Sequence, residues 1–127
     1  MVKITPKNLI LGIGIVVILV LGFWWWQANQ QPGKLDDFAK CLKDKGAKFY
    51  GAFWCPHCQD QKTLFGSSKK YLPYIECSTA NGNSQLPICK EKNIEGYPTW
   101  EFADGSRLTG ELSLEQLSQK TECQLPG

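Results

Sequence analysis

Two cysteines separated by two residues, in Trp54-Cys55-Pro56-His57-Cys58, are the side chains of this chain best suited to chemistry. They follow a short aromatic run and open a helical stretch. A thiol attacks as thiolate, and a free cysteine with a pKa of about 8.5 is mostly protonated at neutral pH. A helix N-terminus carries roughly half a positive charge and several unpaired N–H groups, which favour the thiolate. Cys55 at that position is the candidate nucleophile. Cys58, one turn further on, is the candidate resolving thiol, which attacks Cys55 and releases a mixed disulfide. His57, the only histidine, can add an N–H or a positive charge beside Cys55. Stabilising the thiolate stabilises the reduced form, so Pro-His between the cysteines is expected to make the disulfide an oxidant.

Other chemistries use paired cysteines. Covalent haem attachment needs a histidine directly after the second cysteine, and residue 59 is Gln. A purely structural disulfide with this spacing is unusual at a helix start. Zinc could draw on Cys55, Cys58, Cys77 and Cys89, but eleven residues separate the second pair instead of two to four. No metal and no other cofactor is expected.

The elements that must position the pair are legible in outline. Leu35, Phe38, Ala39 and Leu42 recur at helical spacing, which predicts a helix ending near Gly46. Lys48 to Phe53 reads as a buried strand. Pro56 suits the first position of the next helix, which runs to about Phe65. Gly66 to Lys70 reads as a loop and Tyr71 to Cys77 as a second strand. Ser78 to Ser84 is a loop, and Ser84 is expected to cap a short helix over Gln85 to Lys92. Thr99 to Phe102 and Arg107 to Thr109 read as a hairpin around Asp104-Gly105, whose type I′ turn needs positive φ at both central residues. Ser113 and Gln116 form a capping box that opens a last helix, with Leu114 and Leu117 facing inward.

The N-terminus has a different character. Leu9 to Trp26 holds eighteen residues without a charge. As a helix it would be roughly 27 Å long, close to the ~30 Å of bilayer hydrocarbon. Lys3 and Lys7 precede it, and no acidic residue occurs before Asp36. That asymmetry predicts a cytoplasmic N-terminus (1–8), a transmembrane anchor (9–26), a polar linker (27–33) and an exported domain (34–127). A cleaved signal peptide is the competing reading, but the flank WWWQANQQ lacks an A-x-A arrangement. All twelve acidic residues and twelve of the fourteen basic ones fall in the domain, which is formally neutral. Nucleic acid and anionic lipid are poor candidates as ligands. Six cysteines in so short an exported stretch suggest disulfides.

FYGAFWCPHC, followed about forty residues later by GYPTWEF, resembles the thioredoxin-like domains fused to bacterial and plant homologues of vitamin K epoxide reductase. The likeness runs from about Leu35 to Cys123. CPHC is also the active-site sequence of DsbA-type oxidoreductases. The resemblance implies an α/β thioredoxin-like fold, a central mixed four-stranded sheet flanked by helices, here preceded by one transmembrane helix. It implies a thiol–disulfide oxidoreductase with Cys55 and Cys58 as its redox pair. Pro98, in Tyr97-Pro98-Thr99, matches the cis proline that faces the disulfide and leaves the backbone beside residue 97 free to pair with an extended substrate. Trp54 and Tyr97 are the expected substrate contacts.

Cys77 and Cys89 match a second cysteine pair of those domains. A bridge closing about twelve residues would contribute roughly 3 kcal/mol; an electron-relay pair is the alternative. Cys41 and Cys123 are expected to pair, since an exported oxidant would not keep stray thiols. Six cysteines allow fifteen connectivities, so the pairing stays open. The buried Asp that thioredoxins keep six residues before the first cysteine is Phe49 here. Glu101, three residues after Pro98, is one substitute, although it reads as an exposed strand glutamate.

The multi-helix quinone-reducing part of those fused proteins is not found in these residues. A separate partner is therefore expected, a vitamin K epoxide reductase homologue or another quinone-linked membrane oxidase. The function expected is oxidation of thiols in exported cysteine-containing proteins. A reductase or isomerase at the same site is the alternative. A non-catalytic zinc- or disulfide-stapled binding module is the alternative of another class.

Overall fold

The computed structural model describes residues 5–29 and 32–127. Lys3 of the basic flank and Gln30 and Gln31 of the expected linker lie outside the described residues. The chain divides into two units, Met1–Gln31 and Pro32–Gly127.

The first unit contains one helix, α1 (Pro6–Ala28), with Thr5 at its N-cap and Pro6 at its first position. It is 23 residues long with a mean hydropathy of 2.5 over its most apolar window, long and apolar enough to cross a bilayer. Gln27 and Ala28, expected in the linker, are its last residues. Both are good helix formers, so backbone bonding continues past the apolar stretch.

The second unit runs α2 (Asp36–Asp44), β1 (Lys48–Gly51), α3 (Pro56–Thr63), a 3-10 helix (Gly66–Tyr71), β2 (Tyr74–Glu76), α4 (Pro87–Glu91), β3 (Thr99–Glu101), β4 (Arg107–Thr109) and α5 (Leu114–Thr121). Its four strands lie in the order β2-β1-β3-β4. β1 is parallel to β2 and antiparallel to β3, and β3 and β4 form an antiparallel hairpin. Alternate residues of a strand face opposite sides. Phe49 stacks on Trp100 at 4.8 Å between ring centroids and packs with Phe38, Ala39 and Leu42 of α2 and Leu117 of α5. Tyr50, its neighbour in β1, lies in a smaller cluster with Ile94, Cys77 and Cys89. Cys55 and Cys58 belong to the larger core. Cys41 of α2 is bonded to Cys123 beyond α5, and Cys77 after β2 is bonded to Cys89 of α4.

Several local expectations are corrected. The first strand stops at Gly51, and Phe53 is half exposed in the turn before α3. The stretch from Gly66 is a 3-10 helix, because Ser68 is buried and its hydroxyl accepts the Leu35 N–H. β2 spans three residues, since Tyr71 belongs to that helix and Pro73 has no N–H for the ladder. Leu86, not Ser84, caps α4. Ser78 and Gln85 form an antiparallel bridge, and the Gln85 amide donates to Ile94 O and Tyr97 Oη, which holds residue 85 out of the helix.

The hairpin turn has positive φ at Gly105 alone, with Gly105 N–H bonded to Phe102 O and Phe102 N–H to Ser106 O. This is a three-residue loop with Gly in the left-handed position, and Asp104 instead accepts the Ser106 N–H through its side chain. Glu101 is buried rather than exposed. Its neighbours across the sheet are Lys48 and Arg107. The Arg107 guanidinium lies 2.7 Å from it, and Lys48 and Lys92 lie 3.8 Å away. Burial by itself would raise its carboxyl, but the Arg107 hydrogen bond and the three cations hold it below the usual range.

Candidate active site

Cys55 is the N-cap of α3, with extended backbone (φ −80°, ψ 116°), and Pro56 occupies the first helical position. The Cys58 N–H donates to Cys55 Sγ at 3.2 Å. A capping sulfur thus replaces the usual side-chain oxygen and receives an N–H at the positive end of the helix, a contact that strengthens when the sulfur is charged. Both residues are free thiols. Cys55 is 4% exposed and Cys58 is fully enclosed. Burial pushes the Cys58 thiol up to about 12, helped by its hydrogen bond with Cys55 and opposed by a backbone hydrogen bond at Ala52 and by the charge of Lys62. The two sulfurs therefore differ in kind. One caps the helix and keeps a small exposed area, the other is fully enclosed and protonated.

His57 is exposed beside Glu111. Its side chain is 70% exposed, and Nδ1 lies 3.5 Å from Glu111 Oε2. Among the described residues its imidazole makes no hydrogen bond to either sulfur. His57, Asp60 and Glu111 bring ligand-type atoms within 4.8 Å of one another, all of them exposed. The four-thiol zinc set does not exist here, because Cys77 and Cys89 are bonded to each other. Both are fully buried.

The Tyr97-Pro98 peptide is cis, and Pro98 is fully buried. The Trp54 ring meets the Tyr97 ring edge-on at 6.0 Å, which brings the residue before Cys55 against the residue before Pro98. Trp54 Nε1–H donates to Ser78 Oγ. The Pro98 carbonyl accepts the Gly110 N–H, whereas the backbone N–H and C=O of Tyr97 have no partner among the described residues. Phe53 and Trp54, each about half exposed, leave an aromatic margin beside Cys55.

Two features of the site were not read from the sequence. Gln61, fully buried in α3, donates to Leu112 O and accepts from Leu112 N–H and Trp100 Nε1–H. α3 has almost no apolar face, so this amide and the Cys58 sulfur are what it turns to the core. Gln61→Leu keeps the volume and strands three buried polar groups. We expect a loss of about 3 kcal/mol, measured as the melting midpoint of the full chain in detergent; an unchanged midpoint would show that Gln61 anchors nothing.

The second is a set formed by Lys62, Tyr74 and Glu76. Lys62 Nζ lies 3.5 Å from the centre of the Tyr74 ring. Tyr74 donates to Glu76 Oε2, and Glu76 Oε1 accepts the Phe53 and Ser78 N–H groups. The carboxylate on the cysteine side is thus Glu76, not Glu101. The signal was present: Lys62 is four residues from Cys58 on one helix face, and Tyr74 and Glu76 are two apart on one strand face.

A thiol-disulfide oxidoreductase of Arabidopsis thaliana, LTO1, is 45% identical over 87 residues, which cover 65% of this chain and 23% of that protein. The chloroplastic thioredoxin-like 2 of Oryza sativa subsp. japonica is 27% identical over 92 residues, 65% of this chain and 42% of its own length. The fold is thioredoxin-like. The thioredoxin-like chain spans less than half the length of either relative. No protein-family model matches it. The chemistry this dithiol can perform is reversible closure to a disulfide, with two electrons passed to or taken from another sulfur pair.

Proposed function

We propose that this chain is a membrane-anchored thiol–disulfide oxidoreductase that works outside the cytoplasm as an oxidase of exported, cysteine-containing proteins. The observation that carries this is the placement of Cys55 Sγ at the N-cap of α3, accepting the Cys58 N–H. The similarity to a thiol-disulfide oxidoreductase supports it.

With the pair oxidised, a substrate thiolate attacks Cys55 Sγ and the Cys55–Cys58 bond breaks. The helix N-terminus holds Cys55 beside the aromatic margin of Phe53, Trp54 and Tyr97, which can receive an extended segment. The unpaired N–H and C=O of Tyr97 are placed to bond with that segment. A second substrate thiolate then attacks the mixed disulfide and leaves with the substrate's own sulfur oxidised. Cys55 and Cys58 are left reduced, two electrons richer. A quinone-linked membrane oxidase, of the vitamin K epoxide reductase type or another, would take those electrons. α1 would hold the domain at the bilayer where that partner resides.

Electron direction is tested by equilibrating the Cys55–Cys58 couple with glutathione. The oxidase reading expects a potential near roughly −120 mV, whereas roughly −270 mV would assign the chain as a reductase.

A further inference from the structure

Cys58 is the least accessible group in the proposed exchange, yet every cycle passes through its thiolate. It is enclosed by protein and its thiol is pushed high. Something nearby must offset that burial when the sulfur is charged.

The surroundings of Cys58 supply one cation. A β-carbon at Gly51 would sit 3.0 Å from Cys58 Sγ and 2.8 Å from Tyr74 Cε2, so the sulfur and the Tyr74 ring both line the bare backbone of β1 at Gly51. On the ring lies Lys62 Nζ, 3.5 Å from its centre. Lys62 is also one helical turn beyond Cys58. It is half-buried, and among the described residues no carboxylate lies within ion-pair distance of it. Glu76, the carboxylate whose charge acts on Lys62, already receives hydrogen bonds from Tyr74, Phe53 and Ser78. A half-buried ammonium without a carboxylate, stacked on a ring that lines the same bare backbone as a buried thiol, is suited to a charge that appears only during turnover.

We propose that Lys62 is the positioning residue for the Cys58 thiolate, held over Tyr74 so that its charge stabilises that sulfur when it attacks or leaves Cys55. The inference rests on the thiol–disulfide reading above. In resolution, the Cys58 S–H bond breaks and Cys58 Sγ bonds to Cys55 Sγ. The bond from Cys55 to the foreign sulfur breaks, and that sulfur departs with the electron pair and takes up the proton. In this step the Cys58 sulfur is oxidised and the foreign sulfur reduced; over both exchanges the Cys55–Cys58 pair gives two electrons to a foreign disulfide. In the oxidase direction Cys58 Sγ is the group that leaves Cys55 as thiolate.

The groups that face Cys58 are Cys55 and Lys62 from its own helix and Tyr74 from β2, with Glu76 and Lys69 acting on Lys62. Burial lowers the Lys62 ammonium, and the charges of Glu76, Cys58 and Cys55 oppose that fall. Burial and the bond to Glu76 raise the Tyr74 hydroxyl, so it stays a neutral platform.

The test uses the full chain in detergent carrying Cys55→Ser, so that Cys58 is the single free thiol. Iodoacetamide labelling of Cys58 is followed by mass spectrometry against pH, with Lys62, Lys62→Met and Lys62→Arg. Lys62→Met keeps the stem over the ring and removes the charge. It is expected to slow labelling about tenfold at any pH below the titration, as one pK unit of thiolate requires. Lys62→Arg is expected to stay within about threefold of Lys62. Equal rates for Lys and Met would overturn the proposal, as would equal slowing by Met and Arg, which would mark a packing effect. A parallel arm follows glutathione-disulfide-driven oxidation of a dithiol peptide by the chain with both cysteines. No turnover there overturns the thiol–disulfide reading, and the inference built on it. Turnover with a pH profile unmoved by Lys62→Met overturns the role of Lys62 alone.

Discussion

Cys55→Ser is expected to abolish thiol–disulfide exchange by the full chain, whereas Cys58→Ser is expected to stop it one step later, with substrate attached. Removing the nucleophile should cost roughly a thousandfold or more in rate. The asymmetry follows from the two environments. Cys55 caps α3 and receives an N–H on its sulfur. Cys58 is enclosed and held as a thiol. When Cys55 of the Cys58→Ser chain attacks a foreign disulfide offered without free thiol, Cys58 is missing as the resolving group, so the mixed disulfide accumulates on a non-reducing gel and appears as a mass adduct on Cys55. The Cys55→Ser chain should form none. An adduct on Cys58 in that variant, at a rate near that of Cys55, would reverse the assignment of nucleophile and resolver.

Replacing Cys41 and Cys123 together by Ala is expected to destabilise the second unit more than any other pair of substitutions outside the active site. The bridge closes 82 residues of chain, against 12 for Cys77–Cys89. In the chain-entropy model the longer loop contributes about 4.5 kcal/mol and the shorter about 3. For a unit of this size the larger loss corresponds to a fall in melting temperature on the order of 20 °C. The ends it joins are α2 and the segment after α5, both packed on the Phe49–Trp100 core. Thermal unfolding of the full chain in detergent, followed by circular dichroism, reads the effect. A fall no larger than that of the Cys77→Ala, Cys89→Ala chain would mean that loop length does not set the ranking.

Much of the fold was legible because it is local. The apolar spacing of Leu35, Phe38, Ala39 and Leu42, the Pro56 helix start and the Ser113–Gln116 capping box each depend on a few neighbouring residues. The capping box is present in both directions, Ser113 Oγ to Gln116 N–H and Gln116 Oε1 to Ser113 N–H. Misread segments were those where a distant partner outweighs local preference. Ser68 is drawn into a 3-10 helix by Leu35, thirty-three residues away. Gln85 is held out of α4 by Ile94 and Tyr97. Glu101 reads as a solvated strand residue until the sheet order sets Lys48 and Arg107 on either side of it.

The same division runs through the site. By itself the sequence determined that Cys55 begins a helix and that Cys58 follows one turn later, because the spacing and Pro56 fix both. It determined that a long apolar helix precedes the domain, because length and composition suffice for that. Only the tertiary structure decided which cysteines bond, because the chain brings together ends that spacing does not relate. Only it decided that the Tyr97 loop meets Trp54, and that Glu76 belongs to the cysteine side. It also placed Lys62 and Tyr74 beside the Cys58 sulfur, since that contact needs the parallel register of β1 and β2 and a glycine at position 51 where any side chain would collide.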